Sequence, residues 1–297
     1  MGNYAFAFCS SLTSVNFPKV SIMGSYAFYS CINLISVSFP SVLTIGNSAF
    51  AYCSSLVFAD FPSATSIGNG AFHLCSSLIS VNLPIVETIS GSAFNSCYSL
   101  ASVNLPSVTS MFYSAFAYCR ELTFIDCPLL SKIPAYAFHY CSKLTSVNIS
   151  SATEVGNYAF YYCLELSSIN FPSVTVVSSS AFAYCSSLVS IDFPSVEKIS
   201  PFAFSQCRDL TCVSLPVVTS IGSNAFVSCQ KLISLYLNSI STVPTLSASA
   251  FYSTPIGGYS KSAHQYGSVY VPSSLYSSFL TATYWSSISS RIVSISS

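Results

Sequence analysis

The dipeptide Ala-Phe recurs every 22 residues along most of this chain. A Cys follows each Phe at the third position, and a Leu follows each Cys at the third position again, through eleven copies without an insertion. A fixed period of roughly 20 to 50 residues is the signature of a solenoid or another repeat array. The Cys positions run from Cys9 to Cys229 and the Leu positions from Leu12 to Leu232. The repeated phenylalanines are Phe6, Phe28, Phe50, Phe72, Phe94, Phe116, Phe138, Phe160, Phe182, Phe204 and Phe226.

Each repeat contains a segment that predicts a short strand. Between Leu12 and Pro18, apolar Val15 and Phe17 flank polar Asn16, which is the alternation of a half-buried strand. Proline cannot donate a hydrogen bond to a following ladder, so Pro18 ends the strand, and a Pro stands at the same place in most copies.

A turn is predicted between one strand and the next repeated Phe. Gly46 and Asn47 are turn residues, and Ser48 is a suitable N-cap. We therefore expect a short helical turn from Ala49 to Cys53.

A single 22-residue unit cannot bury its apolar side alone, so neighbouring units must stack. Like strands then lie in register, about 4.8 Å apart, in one sheet. The sequence predicts an α/β repeat solenoid of about eleven rungs, with a parallel concave sheet and short helical turns on the convex side.

The motifs L-x-x-V-x-F-P, I-G-x-x-A-F and A-F-x-x-C-x-x-L together resemble the BspA-like leucine-rich repeat. The resemblance covers residues 1–245 and rests on agreement of spacing, Pro, Ala-Phe and Cys across the copies. It implies a leucine-rich-repeat solenoid that is extracellular or on the cell surface. It also implies a binding scaffold, because several members of that family are adhesins for host matrix proteins or other cells.

Residues 246–297 are predicted to form a degenerate last repeat and a C-terminal cap, which separates them from the solenoid of residues 1–245. Ala250-Phe251 is a displaced copy of the repeated dipeptide. Val269 to Pro272 repeats the strand signature, and Ser273 is expected to cap a helix that carries Leu275, Tyr276, Phe279 and Leu280.

The first residues enter in the middle of the repeat and lack the parts of a signal peptide, so we expect a piece of a longer polypeptide. No stretch of 18 residues is free of Ser, Asn and Pro, which argues against a transmembrane helix. Charged residues make up 6% of the chain and the net charge is zero. Nucleic acid and anionic membranes are therefore poor partners, since both are bound through clusters of basic residues.

Eleven of the 13 cysteines fall in one column. Their Cβ atoms should be separated by about the distance between neighbouring strands, which exceeds the Cβ–Cβ distance that a disulfide bridge requires. We expect buried free thiols, with serial disulfides or a metal ladder as alternatives. Cys127 replaces a core Phe and should also be buried. Cys212 takes the place of a Ser on the open face, where it is either a reactive thiol or a chance substitution.

Two sets of polar residues recur three rungs apart. His73 and His139 are then separated by about 14 Å, too far to share a metal ion, and His264 stands alone. The same separation prevents Asp60, Asp126 and Asp192 from forming an acid/base pair. Duplication of a block of three rungs explains their spacing, and three equivalent binding positions are the alternative. The chain lacks the H-E-x-x-H, G-x-S-x-G and phosphate-loop motifs, so we expect neither an enzyme nor a cofactor.

The outward positions of the concave sheet are the candidate ligand site, because solenoids commonly bind through that face. Alternatively, Ser and Asn only keep the sheet hydrated. A second candidate is the aromatic column Phe8, Tyr52, Tyr118, Tyr140, Tyr162 and Tyr184, for which partial burial beside the core is the simpler interpretation. The candidate ligand-binding residues are Asn16, Phe58, Asp60, Asn82, Asn104, Phe124, Asp126, Asn148, Asn170 and Asp192.

Two functions are consistent with these patterns. The first is an adhesin-like scaffold that recognises a protein or glycan on another cell or on the matrix. The second is a structural spacer or self-assembling fibre element, which would associate through the uncapped N-terminal rung.

Overall fold

The computed structural model describes residues 1–258 and 265–296, and these residues form two compact units, Met1–Ser151 and Ala152–Ser297. Each unit is a parallel β-solenoid, in which most turns of the chain contribute one strand to each of two ladders. The turn that contains Asn170 contributes only a short strand, Val176–Val177. The predicted repeat fold is thereby confirmed. The domain boundary between residues 245 and 246 stays a prediction.

The strands of the first unit belong to two parallel ladders. The long strands contain the repeated Val, and the short strands follow the Pro of the same repeat. Ser14 pairs with Ser36 and Ser36 with Phe58, so the register advances by one 22-residue repeat from strand to strand. The long strands are β1 (Ser14–Asn16), β3 (Ser36–Ser38), β5 (Phe58–Asp60), β7 (Ser80–Asn82), β9 (Ser102–Val103), β11 (Phe124–Asp126) and β13 (Ser146–Asn148). The short strands are β2 (Ile22–Met23), β4 (Thr44–Ile45), β6 (Ser66–Ile67), β8 (Thr88–Ile89), β10 (Ser110–Met111) and β12 (Lys132–Ile133).

The second unit repeats this arrangement and contains three short helical segments between its last two strands. Its short strands are β14 (Glu154–Val155), β15 (Val176–Val177), β17 (Lys198–Ile199), β19 (Ser220–Ile221) and β21 (Thr245–Leu246). Its other strands are β16 (Ser190–Asp192), β18 (Cys212–Ser214), β20 (Ser234–Tyr236), β22 (Ser268–Pro272) and β23 (Ile292–Ile295). Two 3₁₀ helices span Ser273–Leu275 and Ser286–Arg291, and the α-helix α1 spans Tyr276–Thr281.

The core of each unit is a stack of phenylalanine rings. Phe28 and Phe50 are nearly parallel with ring centroids 5.2 Å apart, and Phe182 and Phe204 have the same spacing. The repeated Leu and Cys are buried beside the rings in all rungs after the first. Because each apolar side chain packs on its counterpart one repeat away, the rungs stabilise one another and no rung forms its core alone.

The segment between the short strand and the repeated Cys differs from the sequence prediction. The expected helical turn from Ala49 to Cys53 is a series of hydrogen-bonded turns, because Ser48 and Tyr52 have left-handed φ angles of 51° and 64°. An α-helix does not tolerate such residues in its interior. Two left-handed positions, four residues apart, recur in the other rungs and give the segment its shape.

Hydrogen bonds between rungs hold these turns in place. The backbone N–H groups of Tyr26, Phe28 and Ser30 donate to carbonyl oxygens of the next rung, at 2.7 to 2.9 Å. A left-handed conformation at a tyrosine or serine costs about 1 kcal/mol or more. The ladder of hydrogen bonds offsets this cost, since it forms only when neighbouring rungs share the same backbone path.

Hydroxyl side chains join the corners of successive rungs. Ser41 donates to the carbonyl oxygen of Pro18 at 2.8 Å, and Ser63 donates to that of Pro40 at 2.7 Å. The hydroxyl of Thr145 likewise donates to the carbonyl oxygen of Thr123. These side chains satisfy backbone oxygens that the strands leave open, which is why a chain with so few charges carries so many Ser and Thr residues.

The described part of the C-terminal segment continues the stack. The ring of Phe251 lies 5.6 Å from that of Phe226, and β22 and β23 extend the parallel ladder as predicted. Ser273 makes no capping hydrogen bond, contrary to the prediction, because it lies inside a 3₁₀ helix whose N-cap is Pro272. Phe279 is the buried residue of α1. Among the described residues, no helix has the length and apolar character needed to cross a membrane.

Candidate ligand-binding surface

The structure places all ten candidate residues on the solvent side of the long-strand segments, in exposed or half-exposed positions. We call this surface the strand face. It is formed in each rung by the two side chains that flank the central residue of the long-strand segment, such as Ser36 and Ser38 around buried Val37. The strand face is therefore accessible to a partner, and its role in binding stays a prediction.

Side-chain hydrogen bonds connect adjacent rungs along the strand face. Asp60 accepts hydrogen bonds from Ser38 on one side, at 2.9 Å, and from Asn82 on the other, at 2.8 Å. Asp126 accepts one from Asn148 at 2.7 Å. Amide and hydroxyl donors on both sides orient the carboxylate of Asp60 without neutralising it, so the anion remains available to a partner.

In the first unit, aromatic residues interrupt this polar surface at two places. Phe58 is 42% exposed and Phe124 is 45% exposed, each two positions before an aspartate. Most other rungs carry Ser at this position, so the strand does not require a phenylalanine there. Each Phe-x-Asp pair combines an apolar side chain with a fixed carboxylate.

Exposed apolar residues stand at the repeat position just before Phe58, in its own rung and in the two adjacent rungs, and we call them the apolar patch. Ile35, Val57 and Ile79 follow the repeated Leu in three successive rungs, and all three are exposed. Backbone hydrogen bonds link them directly, from Val57 to Ile35 at 2.8 Å and from Ile79 to Val57 at 2.9 Å. This patch was not predicted, although the sequence carries a signal for it, namely three β-branched apolar residues at one repeat position next to a Phe where most rungs have Ser.

The cysteine column contains free thiols, as predicted, and none of the 13 cysteines is in a disulfide. Each buried thiol for which the partner is defined donates to the carbonyl oxygen of the repeated Phe one rung below, as Cys53 does to Phe28 at 3.1 Å. Cys127 is buried, as expected. Cys9 is exposed, contrary to the prediction, because no rung packs against its open side.

Cys212 is half-buried on the strand face beside Asp192. Partial burial raises the pKa of its thiol, and the negative charge of Asp192 raises the pKa further. A thiol with a raised pKa carries little thiolate at neutral pH, and the thiolate is the nucleophile. The structure therefore does not favour the interpretation of Cys212 as a reactive group.

His73 and His139 occupy equivalent positions three rungs apart. Burial lowers the pKa of His73, so this imidazole is neutral at neutral pH, and its ring packs edge-on against Tyr52. His139 packs in the same way against Tyr118. His264 lies outside the described residues. Within residues 1–258 and 265–296, no three His, Cys, Asp or Glu side chains come together in a way that could hold a metal ion.

The aromatic column has a structural role that the sequence did not reveal. Its residues occupy the second left-handed position of the turn, for example Tyr118 with a φ of 63°. Tyr118, Tyr140, Tyr162 and Tyr184 are half-buried, in agreement with the simpler interpretation, whereas Phe8 and Tyr52 are exposed. Stacking between neighbours, such as Tyr118 on Tyr140 at 5.2 Å, covers part of each ring.

A parallel solenoid whose rungs repeat an apolar strand and a Phe-Cys-Leu core defines a leucine-rich-repeat protein. Residues 1–85, 65–185 and 153–261 match the family described as the BspA type leucine rich repeat region, with six copies, and this chain belongs to that family. A search of the curated proteins finds no match.

Solved structures resemble this chain in fold. A leucine-rich repeat protein from Bacteroides ovatus is 22% identical with a TM-score of 0.68, and the alignment covers 99% of this chain and 87% of that one. A leucine rich cell surface protein from Faecalibacterium prausnitzii is 19% identical over 94% and 89% of the two chains, with a TM-score of 0.37. The pneumococcal vaccine antigen PcpA is 15% identical over 96% and 79%, with a TM-score of 0.43. These likenesses concern the fold alone.

Proposed function

We propose that this protein is a binding scaffold of the cell surface or the extracellular space, and that its strand face captures a protein or glycan ligand in the manner of an adhesin. The observation that carries the proposal is the exposure of Phe58 and Phe124 at positions where most rungs have Ser. Membership of a family of repeat proteins supports a role in recognition rather than in catalysis.

The apolar patch around Phe58 favours a protein among the possible ligands. Burial of a phenylalanine side chain contributes about 1.5–3 kcal/mol, and exposed aromatic residues near the centre of an interface often dominate its affinity. Ile35, Val57 and Ile79 would enlarge the buried area around that anchor. The carboxylate of Asp60, held by Ser38 and Asn82, would contribute orientation through hydrogen bonds from the partner.

The two Phe-x-Asp pairs are separated by a defined distance along the strand face. Asp60 pairs with Asn82 in register, and Asn104 pairs with Asp126, so that Phe58 and Phe124 lie three rungs apart, at about 14 Å. Phe58 lies in the sheet that ends at β9 and Phe124 in the sheet that begins at β11, and an isolated bridge between Asn104 and Asp126 joins the two. Two anchors within one unit would bind a single ligand together, and the second contact would then be intramolecular. A ligand with two apolar side chains at that spacing fits this surface best.

Replacement of both phenylalanines tests the proposal. The double variant Phe58→Ser and Phe124→Ser introduces the residue that other rungs already carry, so the fold should be retained, which circular dichroism would verify. We expect the unaltered chain to be retained on a surface coated with basement-membrane matrix extract, and the double variant to lose at least about 10-fold in affinity, because each lost anchor is worth more than 1 kcal/mol.

The control is Phe8→Ser, which removes an exposed phenylalanine that lies off the strand face. Its affinity should match that of the unaltered chain. Absence of retention of the unaltered chain, or equal retention of the double variant, would contradict a binding role for the two anchors.

A further inference from the structure

A cleft of about 680 Å³ opens in the second unit, beside the displaced Ala250-Phe251 copy of the repeat. One wall comes from the turn after that copy, including Tyr252 and Ser253, and the other from the segment between Tyr284 and Ile288. Its volume lies within the range of small-molecule sites, roughly 300–1,000 Å³. The cleft is separate from the strand face, because none of the ten candidate residues lines it.

The lining of the cleft is amphipathic and uncharged. Leu246, Phe251 and Ile288 provide apolar surface, while Ser247, Ser253 and Ser287 provide hydroxyl groups. No Asp, Glu, Lys, Arg or His is among the described residues that line it. The part of the lining that the structure describes thus offers no partner of opposite charge to an ionic ligand, whose loss of hydration costs free energy.

Two tyrosines give the cleft exposed aromatic surface. Tyr252 is 68% exposed and Tyr284 is 46% exposed, and both line the opening. Aromatic rings left in contact with solvent retain their faces for stacking against a ligand. Their phenol groups add hydrogen-bonding capacity beside the serine hydroxyls.

The backbone holds the second tyrosine in a fixed and unfavourable conformation. Tyr284 has a left-handed φ of 63°, and its carbonyl oxygen accepts a hydrogen bond from Ser287 at 2.6 Å. The adjacent Trp285 is buried and donates from Nε1 to the carbonyl oxygen of Pro244 at 2.7 Å. Trp285 also packs against Phe279, with ring centroids 5.0 Å apart, so the wall is attached to the core of the unit. A rigid wall lowers the entropic cost of binding.

We propose that this cleft binds a short neutral saccharide. A sugar ring combines an apolar C–H face, which stacks on an aromatic ring, with hydroxyl groups around its edge, which need uncharged donors and acceptors. The cleft offers both along its walls, in Tyr252 and Tyr284 for the faces and in Ser247, Ser253 and Ser287 for the edges. An aliphatic ligand would cover the hydroxyl groups of Ser247 and Ser253 without offering them a hydrogen bond, which costs free energy.

Titration of the full chain with neutral disaccharides tests the proposal. Trp285 is the one tryptophan of the sequence, and its ring lies 6.3 Å from that of Phe251 in the cleft lining, so its fluorescence reports on occupancy. Lactose, maltose and N,N′-diacetylchitobiose are the probes, and saturation-transfer NMR provides a second readout that does not depend on Trp285. We expect at least one probe to bind with a Kd of about 1 mM or tighter, which corresponds to about 4 kcal/mol.

Variants then assign the binding to the cleft. Tyr252→Ala should weaken the bound disaccharide at least about 10-fold, which is the loss of more than 1 kcal/mol of stacking. Tyr252→Phe retains the ring and should stay within about threefold of the unaltered chain, a difference of less than 1 kcal/mol. Tyr113→Ala removes an exposed tyrosine of the first unit and should have no effect.

Three results would overturn the proposal. The first is that no probe binds up to about 50 mM, a concentration that would nearly saturate a millimolar site. The second is that Tyr113→Ala weakens binding as much as Tyr252→Ala does. The third is that a tripeptide without charge, such as Ala-Ala-Ala acetylated at its N-terminus and amidated at its C-terminus, binds more tightly than all three disaccharides. The strand-face variant Phe58→Ser and Phe124→Ser should leave saccharide binding unchanged, so the two sites are tested independently.

Discussion

The thiol of Cys75 donates a hydrogen bond to the carbonyl oxygen of Phe50, 3.1 Å away and 25 positions earlier in the chain. The same carbonyl oxygen accepts the backbone N–H of Cys53, so it is shared by a turn within its own rung and by the thiol of the next rung. The repeated Cys thus combines two properties, a small apolar side chain that fits the core and a donor that satisfies a buried acceptor.

Replacement of a buried thiol should therefore cost more than its volume suggests. Cys75→Ala leaves a cavity and removes the donor to Phe50, and we expect the free energy of unfolding to fall by about 1–2 kcal/mol. Thermal denaturation followed by circular dichroism measures the change. The matched control is Cys212→Ala, a half-buried cysteine of the strand face, for which the loss should stay below about 0.5 kcal/mol. Equal losses in the two variants would refute a special role for the cysteine column.

Alkaline pH should destabilise the fold through the same thiols. Burial raises the pKa of Cys75, Cys97 and Cys119 above the ordinary value, and it raises the pKa of Cys127 to about 12. Above pH 9 the unfolded chain releases these protons while the folded chain retains them, so the unfolded state binds fewer protons and stability falls as pH rises. Each buried thiol contributes a slope of up to about 1.4 kcal/mol per pH unit.

Urea denaturation at several pH values between neutral and strongly alkaline measures this slope. The control is Cys127→Leu, which introduces an apolar residue that other rungs carry at this position, for example Leu83 and Leu105. It removes one titrating thiol, so the fall in the free energy of unfolding with pH should become less steep by up to about 1.4 kcal/mol per pH unit, the contribution of one proton. A stability that does not change above pH 9 would show that the thiols do not titrate differently in the two states.

Close contact between rungs makes Gly46 sensitive to substitution. A Cβ atom at Gly46 would lie 2.5 Å from the carbonyl carbon of Gly24 and 2.6 Å from its oxygen, and backbone atoms cannot move aside as a side chain can. Gly46→Ala should lower the free energy of unfolding by about 1–3 kcal/mol. In Gly2→Ala, by contrast, the new Cβ has no atom within 4 Å, and the melting temperature should stay unchanged. Similar melting temperatures for both variants would be inconsistent with the close packing of these rungs.

Charge reversal of three strand-face aspartates should weaken ligand capture without unfolding the chain. Asp60, Asp126 and Asp192 are exposed or half-exposed, so their replacement by Lys changes the surface and not the core. We expect retention on the matrix-coated surface to drop at least about 10-fold, because the partner would face three charges of the wrong sign. The matched control reverses Glu87, Glu154 and Glu197, which lie off the strand face. If the control weakens retention equally, net charge and not the strand face is responsible.

Sedimentation separates the scaffold from the self-associating spacer. A scaffold that binds other molecules is expected to sediment as a monomer at all concentrations, whereas a fibre element would form larger species as concentration rises. Analytical ultracentrifugation over a wide range of protein concentration gives the answer. Polymers that grow with concentration would favour the spacer, whereas a stable monomer would remove the main argument for it.

Much of the fold was predictable from the repeat. The alternation around Val15 and the fixed spacing of Phe, Cys and Leu identified the strand, the core and the parallel register, and all three are confirmed. The ten candidate residues were correctly assigned to the open face for the same reason. Successive side chains of a strand point to opposite sides, so the residues next to a buried one face solvent.

The turn and the cleft were not predictable in this way. The residues from Ala49 to Cys53 suit a helix locally, and only hydrogen bonds to the next rung stabilise the left-handed conformations of Ser48 and Tyr52. The cleft beside Phe251 combines residues from 230 to 288 whose approach depends on how the C-terminal segment packs. No local pattern encodes that approach.

The sequence alone thus determined the period, the identity of the buried side chains and the presence of free thiols, because these follow from which residue recurs at which phase of the repeat. The tertiary structure decided which carbonyl each thiol meets, which residues adopt left-handed angles, and where Tyr252 and Tyr284 lie. The physical reason is that the second set of properties depends on contacts between rungs. Such contacts stabilise backbone conformations that no single rung would adopt by itself.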